Sequence, residues 1–139
     1  MVHNIEFIAE KYNHEMHGEL IRLWTDLHDY VKIPNNDLPM NGVIVRKGDE
    51  YIAACWLICT DWASFGCFID NMICNPNLDK QTRDAGIKAL IEAACEVGFA
   101  LGYKRILAAP RGQSLRKRAQ QHGFVVLEDN LPLYHRELH

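Results

Sequence analysis

Residues 68–102 read FIDNMICNPNLDKQTRDAGIKALIEAACEVGFALG, and this stretch decides the fold. An apolar strand, expected over 67–74, ends at the turn Asn75-Pro76. A polar loop follows, then a long helix that starts between Asp79 and Arg83 and runs to Leu101, with Gly102 as its stop. Asp79 and Thr82 are both suited to cap it. Ile87, Leu90, Ile91, Ala94, Gly98 and Leu101 recur at helical spacing and form its buried stripe. Such a junction sets backbone N–H groups at a helix start beside the end of a strand, which suits an anion.

Upstream, residues 51–59 are apolar at nearly every position, the pattern of a strand covered on both faces. A short strand over 43–45 precedes it, joined by the hairpin turn Lys47-Gly48-Asp49-Glu50 with Gly48 free to take positive φ. With a turn at 60–66, residues 43–74 form a three-stranded antiparallel meander. Further back, 5–9 reads as a first strand and 14–32 as a helix whose Met16, Leu20, Trp24, Leu27 and Val31 share one face. Pro34 ends that helix. Residues 33–42, IPNNDLPMNG, form either a substrate-facing loop or an ordinary connector. Trp24 and Trp56 belong to the core, Trp62 to the turn.

Downstream, a strand over 105–109 follows the long helix and lies parallel to the strand before it, as a βαβ unit. A short helix over 114–122 begins at Ser114, its N-cap, and stops at Gly123. Strands over 124–127 and 133–136 close the chain. The whole is an α+β fold in three layers, a mixed and mostly antiparallel twisted sheet with flanking helices. Its 139 residues make one domain.

A formal net charge of −3 argues against a nucleic-acid-binding surface, although Lys104, Arg105, Arg111, Arg116, Lys117 and Arg118 make the C-terminal part locally positive. No apolar run has the length of a membrane span, and MVHNIEF lacks the pattern of a signal peptide. The five cysteines, an odd number among apolar neighbours, read as buried free thiols in a reducing cytoplasm. No metal site is expected. His14 and His17 are three apart at a helix start, a solvated end rather than the four-residue spacing of a zinc motif. Cys55 and Cys59 share a strand face but want two more ligands.

This element order and three sequence motifs resemble the GNAT superfamily of acetyl-CoA-dependent N-acetyltransferases. Met72-Ile73-Cys74-Asn75-Pro76 is similar to the family's fourth strand. Leu90 to Ala94 through Gly102-Tyr103-Lys104-Arg105-Ile106 matches its helix and following strand, and Gln121-His122-Gly123-Phe124 its end-of-helix signature. The resemblance implies that the backbone of Met72, Ile73 and Cys74 holds the pantetheine arm of acetyl-CoA. It implies that the loop Lys80, Gln81, Thr82, Arg83, Asp84, Ala85 and Gly86, with Ile87 after it, holds the pyrophosphate. The family's loop is Gln/Arg-x-x-Gly-x-Gly/Ala: in one register Thr82, Ala85 and Ile87 stand at its three positions, and one residue on Arg83 and Gly86 fit but Lys88 takes the last, so neither register reproduces it.

By the same resemblance Asp70 is the general base, with a capping carboxylate as the alternative. The family's Tyr four residues before the Gly-Phe pair is Ala119 here. Tyr134 and Ser114 are the hydroxyls that stand in for it, and Ser114 also counts among the cofactor-side residues. The implied activity is acetyl transfer to an amine, a protein lysine or a small amine, by a monomer or homodimer. The alternatives are a catalytically inactive protein of this fold that binds a protein partner and, on the basic cluster alone, a nucleic-acid module.

Overall fold

The computed structural model describes residues 6–27, 41–61, 66–108 and 113–124. The expected strands over 124–127 and 133–136, most of the loop 33–42, Trp62 and Tyr134 lie outside the described residues, apart from Phe124, Asn41 and Gly42. The chain divides into two compact units, Met1–Ala108 and Ala109–His139. The first holds β1 (Ile8–Lys11), α1 (His14–Leu27), β2 (Asn41–Lys47), β3 (Glu50–Ile58), β4 (Cys67–Cys74), α2 (Lys80–Ala100) and β5 (Ile106–Leu107). In the second, α3 spans Gln113–Gln121.

The five strands form one sheet in the order β1-β2-β3-β4-β5. The first four are antiparallel neighbours, and β5 pairs with β4 in parallel. The meander and the βαβ unit stand as expected. The hairpin turn is Gly48-Asp49, with Gly48 at φ +60°. Strand pleating sends alternate residues to opposite faces. One face carries Tyr12, Ile44, Ala54, Trp56 and Ile73 against Ile21 and Trp24 of α1. The other carries Val43, Val45, Ala53, Cys55, Leu57 and Cys67 against Leu90, Ala93 and Ala94 of α2. A central strand between two helix layers is apolar throughout, and β3 is buried from Ile52 to Leu57. The three-layer α+β arrangement is the one expected.

The first strand lies a little later in the chain than expected, at Ile8–Lys11. The face of α1 also differs. Met16 is 70% exposed, while His17, Ile21, Trp24 and Thr25 are buried and Leu20 is partly so. His17 is not at a solvated helix end. It is 1% exposed, and its Nδ1 accepts the backbone N–H of Asn13 at 2.9 Å. Asn13 in turn caps α1 by accepting the Met16 N–H on Oδ1 at 3.1 Å.

Asp79, not Thr82, precedes the first helical residue of α2. The buried stripe of α2 includes Gly86 and Ala93 but stops at Gly98, because Leu101 lies beyond the last helical residue and is 48% exposed. Both α2 and α3 end in the paired hydrogen bonds of a Schellman motif. Tyr103 N–H bonds Gly98 O and Gly102 N–H bonds Phe99 O. Phe124 N–H bonds Ala119 O and Gly123 N–H bonds Gln120 O. The Gly-Phe signature is thus a helix stop, and Ser114 is the second residue of α3 rather than its cap. Of the cysteines read as buried, Cys59 and Cys95 are exposed.

Candidate functional site

The site is built on β4. Ala54 pairs with Ile73 and Trp56 with Asp70, so one residue of β3, Cys55, faces two of β4, Asn71 and Met72. This is a β-bulge, which bends the strand and increases its twist. The pairing with β5 is confined to Cys67 with Ile106 and Phe68 with Leu107. Among the described residues the pairing of β4 with β5 does not continue past Phe68 to Ile69–Ile73. Asn75 N–H donates to Ile52 O at 2.8 Å, so backbone groups of alternate residues from 75 backward face β3. Ile73 therefore turns its backbone toward Ala54. Met72 and Cys74 turn theirs to the edge away from β3.

Asn75 also shapes the turn into α2. Its Nδ2 donates to Tyr51 O at 3.0 Å, and its Oδ1 accepts the Asn77 N–H at 3.0 Å. Asp79 is extended, and its carboxylate makes no capping bond. The amides of Lys80, Gln81 and Thr82 thus begin the helix without a side-chain cap, while Arg83 N–H bonds Asp79 O at 3.0 Å. Lys80 and Gln81 are exposed, Thr82 and Arg83 half-buried. Open amides, the positive helix end and two nearby cations suit a phosphate, with the Asp79 carboxylate acting against them.

Residues 80–86 are therefore not a loop: all are helical. Gly86 faces the sheet, where an added Cβ would lie 2.2 Å from Ile52 Cγ2. Its smallness serves the packing of α2 on β3. Ile87 is buried beside it, so its branched side chain does not crowd the helix start.

Asp70 ends a row on the α1 face that starts at Tyr12, just past β1, and crosses β2, β3 and β4. Tyr12 N–H donates to Gly42 O at 2.8 Å, Gly42 pairs with Trp56, and Trp56 pairs with Asp70. The Tyr12 and Trp56 rings meet edge to face at 5.0 Å over Gly42, where a Cβ would lie 2.6 Å from Trp56 Nε1. Tyr12 Oη and Trp56 Nε1 are buried with no hydrogen-bond partner among the described residues, and burial raises the Tyr12 hydroxyl pKa. No sequence motif announces this row; only the register assembles it.

No family model and no curated protein matches the sequence. Solved structures do match the fold. One is an aminoglycoside acetyltransferase from an uncultured soil metagenomic sample, in complex with sisomicin. It has a TM-score of 0.69 at 12% identity, covering 97% of this chain and 99% of that one. Another is AAC(6')-Iy in complex with a bisubstrate analogue, CoA-S-monomethyl-acetylneamine, at 0.69 and 17% identity over 95% and 99%. A third, a GNAT family acetyltransferase from Staphylococcus aureus, stands at 0.61 and 16% over 96% and 99%. The fold is that of the GNAT acetyltransferases.

Within this GNAT fold, Asp70, Met72, Ile73 and Cys74 share one bulged strand, and Lys80 to Ile87 form the first two turns of the helix that follows it. Ser114 lies in the second unit, and Tyr134 lies outside the described residues. No cluster of three or more metal-ligating side chains occurs among the described residues.

Proposed function

We propose that the protein is an acetyl-CoA-dependent N-acetyltransferase, with the chain of 139 residues acting as one domain. The observation that carries this reading is β4: bulged at Asn71-Met72, paired with β5 only at Cys67 and Phe68 among the described residues, and followed by a helix start whose Asp79 makes no side-chain cap. Met72 and Cys74 offer backbone donors and acceptors along the edge away from β3, which an extended amide-bearing arm such as pantetheine pairs with as an added strand. Ile73 supports them through β3. The first-turn amides of Lys80, Gln81 and Thr82, with the side chains of Lys80 and Arg83, hold the pyrophosphate. Asp84, Ala85, Gly86 and Ile87 seat the helix that presents those amides. Ser114 stays a cofactor-side candidate on the family resemblance alone.

Bound acetyl-CoA supplies the acetyl thioester. The acceptor is an amine, on a protein lysine or a small molecule, and its nitrogen displaces the thiolate at the acetyl carbonyl. Asp70, one residue before the bulge, takes the amine proton directly or through water. Tyr134 supplies the proton to the departing thiolate. The aminoglycoside acetyltransferases of this fold favour a small polyamine-like acceptor over others. The protein works in the cytoplasm as a monomer or homodimer.

Calorimetric titration with acetyl-CoA tests this. We expect a dissociation constant on the order of a micromolar, weakened roughly tenfold or more by the double substitution Lys80→Glu, Arg83→Glu with the circular dichroism unchanged. Absence of binding at millimolar cofactor overturns the reading. Gly86 is the wrong residue to vary, because enlarging it drives Ile52 out of place. Ala119, where a family Tyr would stand, favours a second reading, a non-catalytic protein that binds a partner. Acetyl-CoA binding without turnover of any amine in a panel would support that one.

A further inference from the structure

Two thiols at the far end of the β3–β4 ladder face each other. The last ladder pair of that register is Ile58 with Phe68, and the next step outward sets Cys59 opposite Cys67. Beyond them Thr60 Oγ1 donates to Gly66 O at 2.7 Å, so the two chains stay together past the cysteines. The Cys67 backbone N–H points away from β3, donating to Arg105 O at 3.3 Å. Cys59 and Cys67 therefore form a non-hydrogen-bonded antiparallel pair, the closer of the two kinds, with Cα atoms about 4.5 Å apart and side chains on one face. Disulfides span Cα separations of about 4.4–6.8 Å. The strand geometry already meets that requirement.

The two sulfurs have different surroundings. Cys59 is exposed, and its Sγ accepts a hydrogen bond from Asn41 Nδ2 at 3.4 Å. Cys67 is fully buried under α2, where a Cβ on Gly98 would lie 3.2 Å from its Sγ. Tyr103 roofs the pair by donating its hydroxyl to Thr60 O. Burial, with Cys59 and Cys95 nearby, raises the Cys67 thiol pKa. Cys55, further along β3, is pushed up to about 12 by burial and is inert.

We propose that Cys59 and Cys67 are a thiol–disulfide exchange site, oxidised to a cross-strand disulfide by small dialkyl disulfides such as glutathione disulfide. Cys59 thiolate attacks one sulfur of the oxidant; the oxidant's S–S bond breaks and one glutathione thiolate leaves. Cys67 gives its proton to a leaving thiolate, its sulfur bonds to Cys59 Sγ, and the second glutathione departs. Two protein thiols are oxidised by two electrons, and one glutathione disulfide becomes two glutathiones. Cys59 is the entry point because it alone of the pair meets solvent. Cys67 resolves the mixed disulfide from within, faster as pH rises toward its raised pKa. The bond closes the loop 59–67 at the point where β4 holds β5, and it does not depend on any acetyltransferase activity.

The test is incubation of the intact protein with excess glutathione disulfide, followed by thiol titration in denaturant and peptide mapping. We expect loss of two of the five thiols, a Cys59–Cys67 cross-linked peptide, no retained glutathione, and a melting midpoint raised by roughly 5 °C. Cys59→Ser abolishes the cross-link, while Cys95→Ser leaves it intact. Should Cys67→Ala fail to fold, the surface change Cys59→Ser still decides the matter. A stable glutathione adduct on Cys59, a Cys67–Cys95 bond, or five unchanged thiols would each overturn the proposal.

Discussion

Glu10 is the hub of the polar side chains on the α1 face. It accepts hydrogen bonds from Arg46 Nε and, at 3.3 Å, from Tyr51 Oη, and it lies 3.4 Å from His17 Nε2. The Asn13 N–H occupies His17 Nδ1, so the ring proton belongs on Nε2, toward that carboxylate. The hydrogen bond from Arg46, aided by its charge and by Tyr51 and His17, holds the Glu10 carboxyl below its usual pKa of 4.5 against a smaller opposing effect of burial. A carboxylate with a depressed folded pKa stabilises the protein above the unfolded value, and that contribution disappears as pH falls through the folded value. Urea unfolding from pH 7 to 3 should show stability declining below about pH 4.5. Glu10→Gln should start less stable at pH 7 and decline less steeply. An unchanged acid limb in the variant would remove Glu10 from this role. Nothing in the sequence links Glu10 to Arg46 or Tyr51, because 36 and 41 residues separate them and only strand pairing brings them together.

Among the elements, α2 shows how packing outranks local signals. Glycine within a helix costs about 1 kcal/mol relative to alanine. At Gly86 that cost is accepted because Ile52 of β3 fills the space where a Cβ would be. Gly86→Ala should therefore destabilise: roughly 1–3 kcal/mol of overpacking outweighs up to about 1 kcal/mol of gained helix propensity. Chemical denaturation checks the sign, and a more stable variant would mean that Ile52 moves freely. The helix start was legible as a strand–turn–helix junction, and its stop as Gly102. The orientation of its first two turns was not. Ile87 breaks the expected glycine pattern in the sequence, yet it faces the core, where a branched apolar side chain belongs. On α1, Met16 and Trp24 both suit an apolar stripe, and only the sheet beneath selects Trp24 and rejects Met16.

At the scale of the molecule, a ligand that binds only the folded chain raises its stability by about 2.7 kcal/mol at a hundred times its dissociation constant. For a chain of this size that is a rise of roughly 5–10 °C in Tm. Thermal unfolding should show that rise with acetyl-CoA. A matching rise with a small thiol lacking the nucleotide would locate the binding energy away from the helix start. Local patterns in the sequence were enough for the element order through α3, the meander, both glycine helix stops and the apolar character of β3. These depend on local periodicity and on backbone preferences carried by a few consecutive residues. The bulge at Asn71-Met72, the end of the described β5 pairing at Phe68, the row from Tyr12 to Asp70 and the facing of Cys59 with Cys67 emerge only in the assembled sheet. Each of these is a matter of register between strands distant in the chain. A shift of one residue would turn every one of those side chains to the other face.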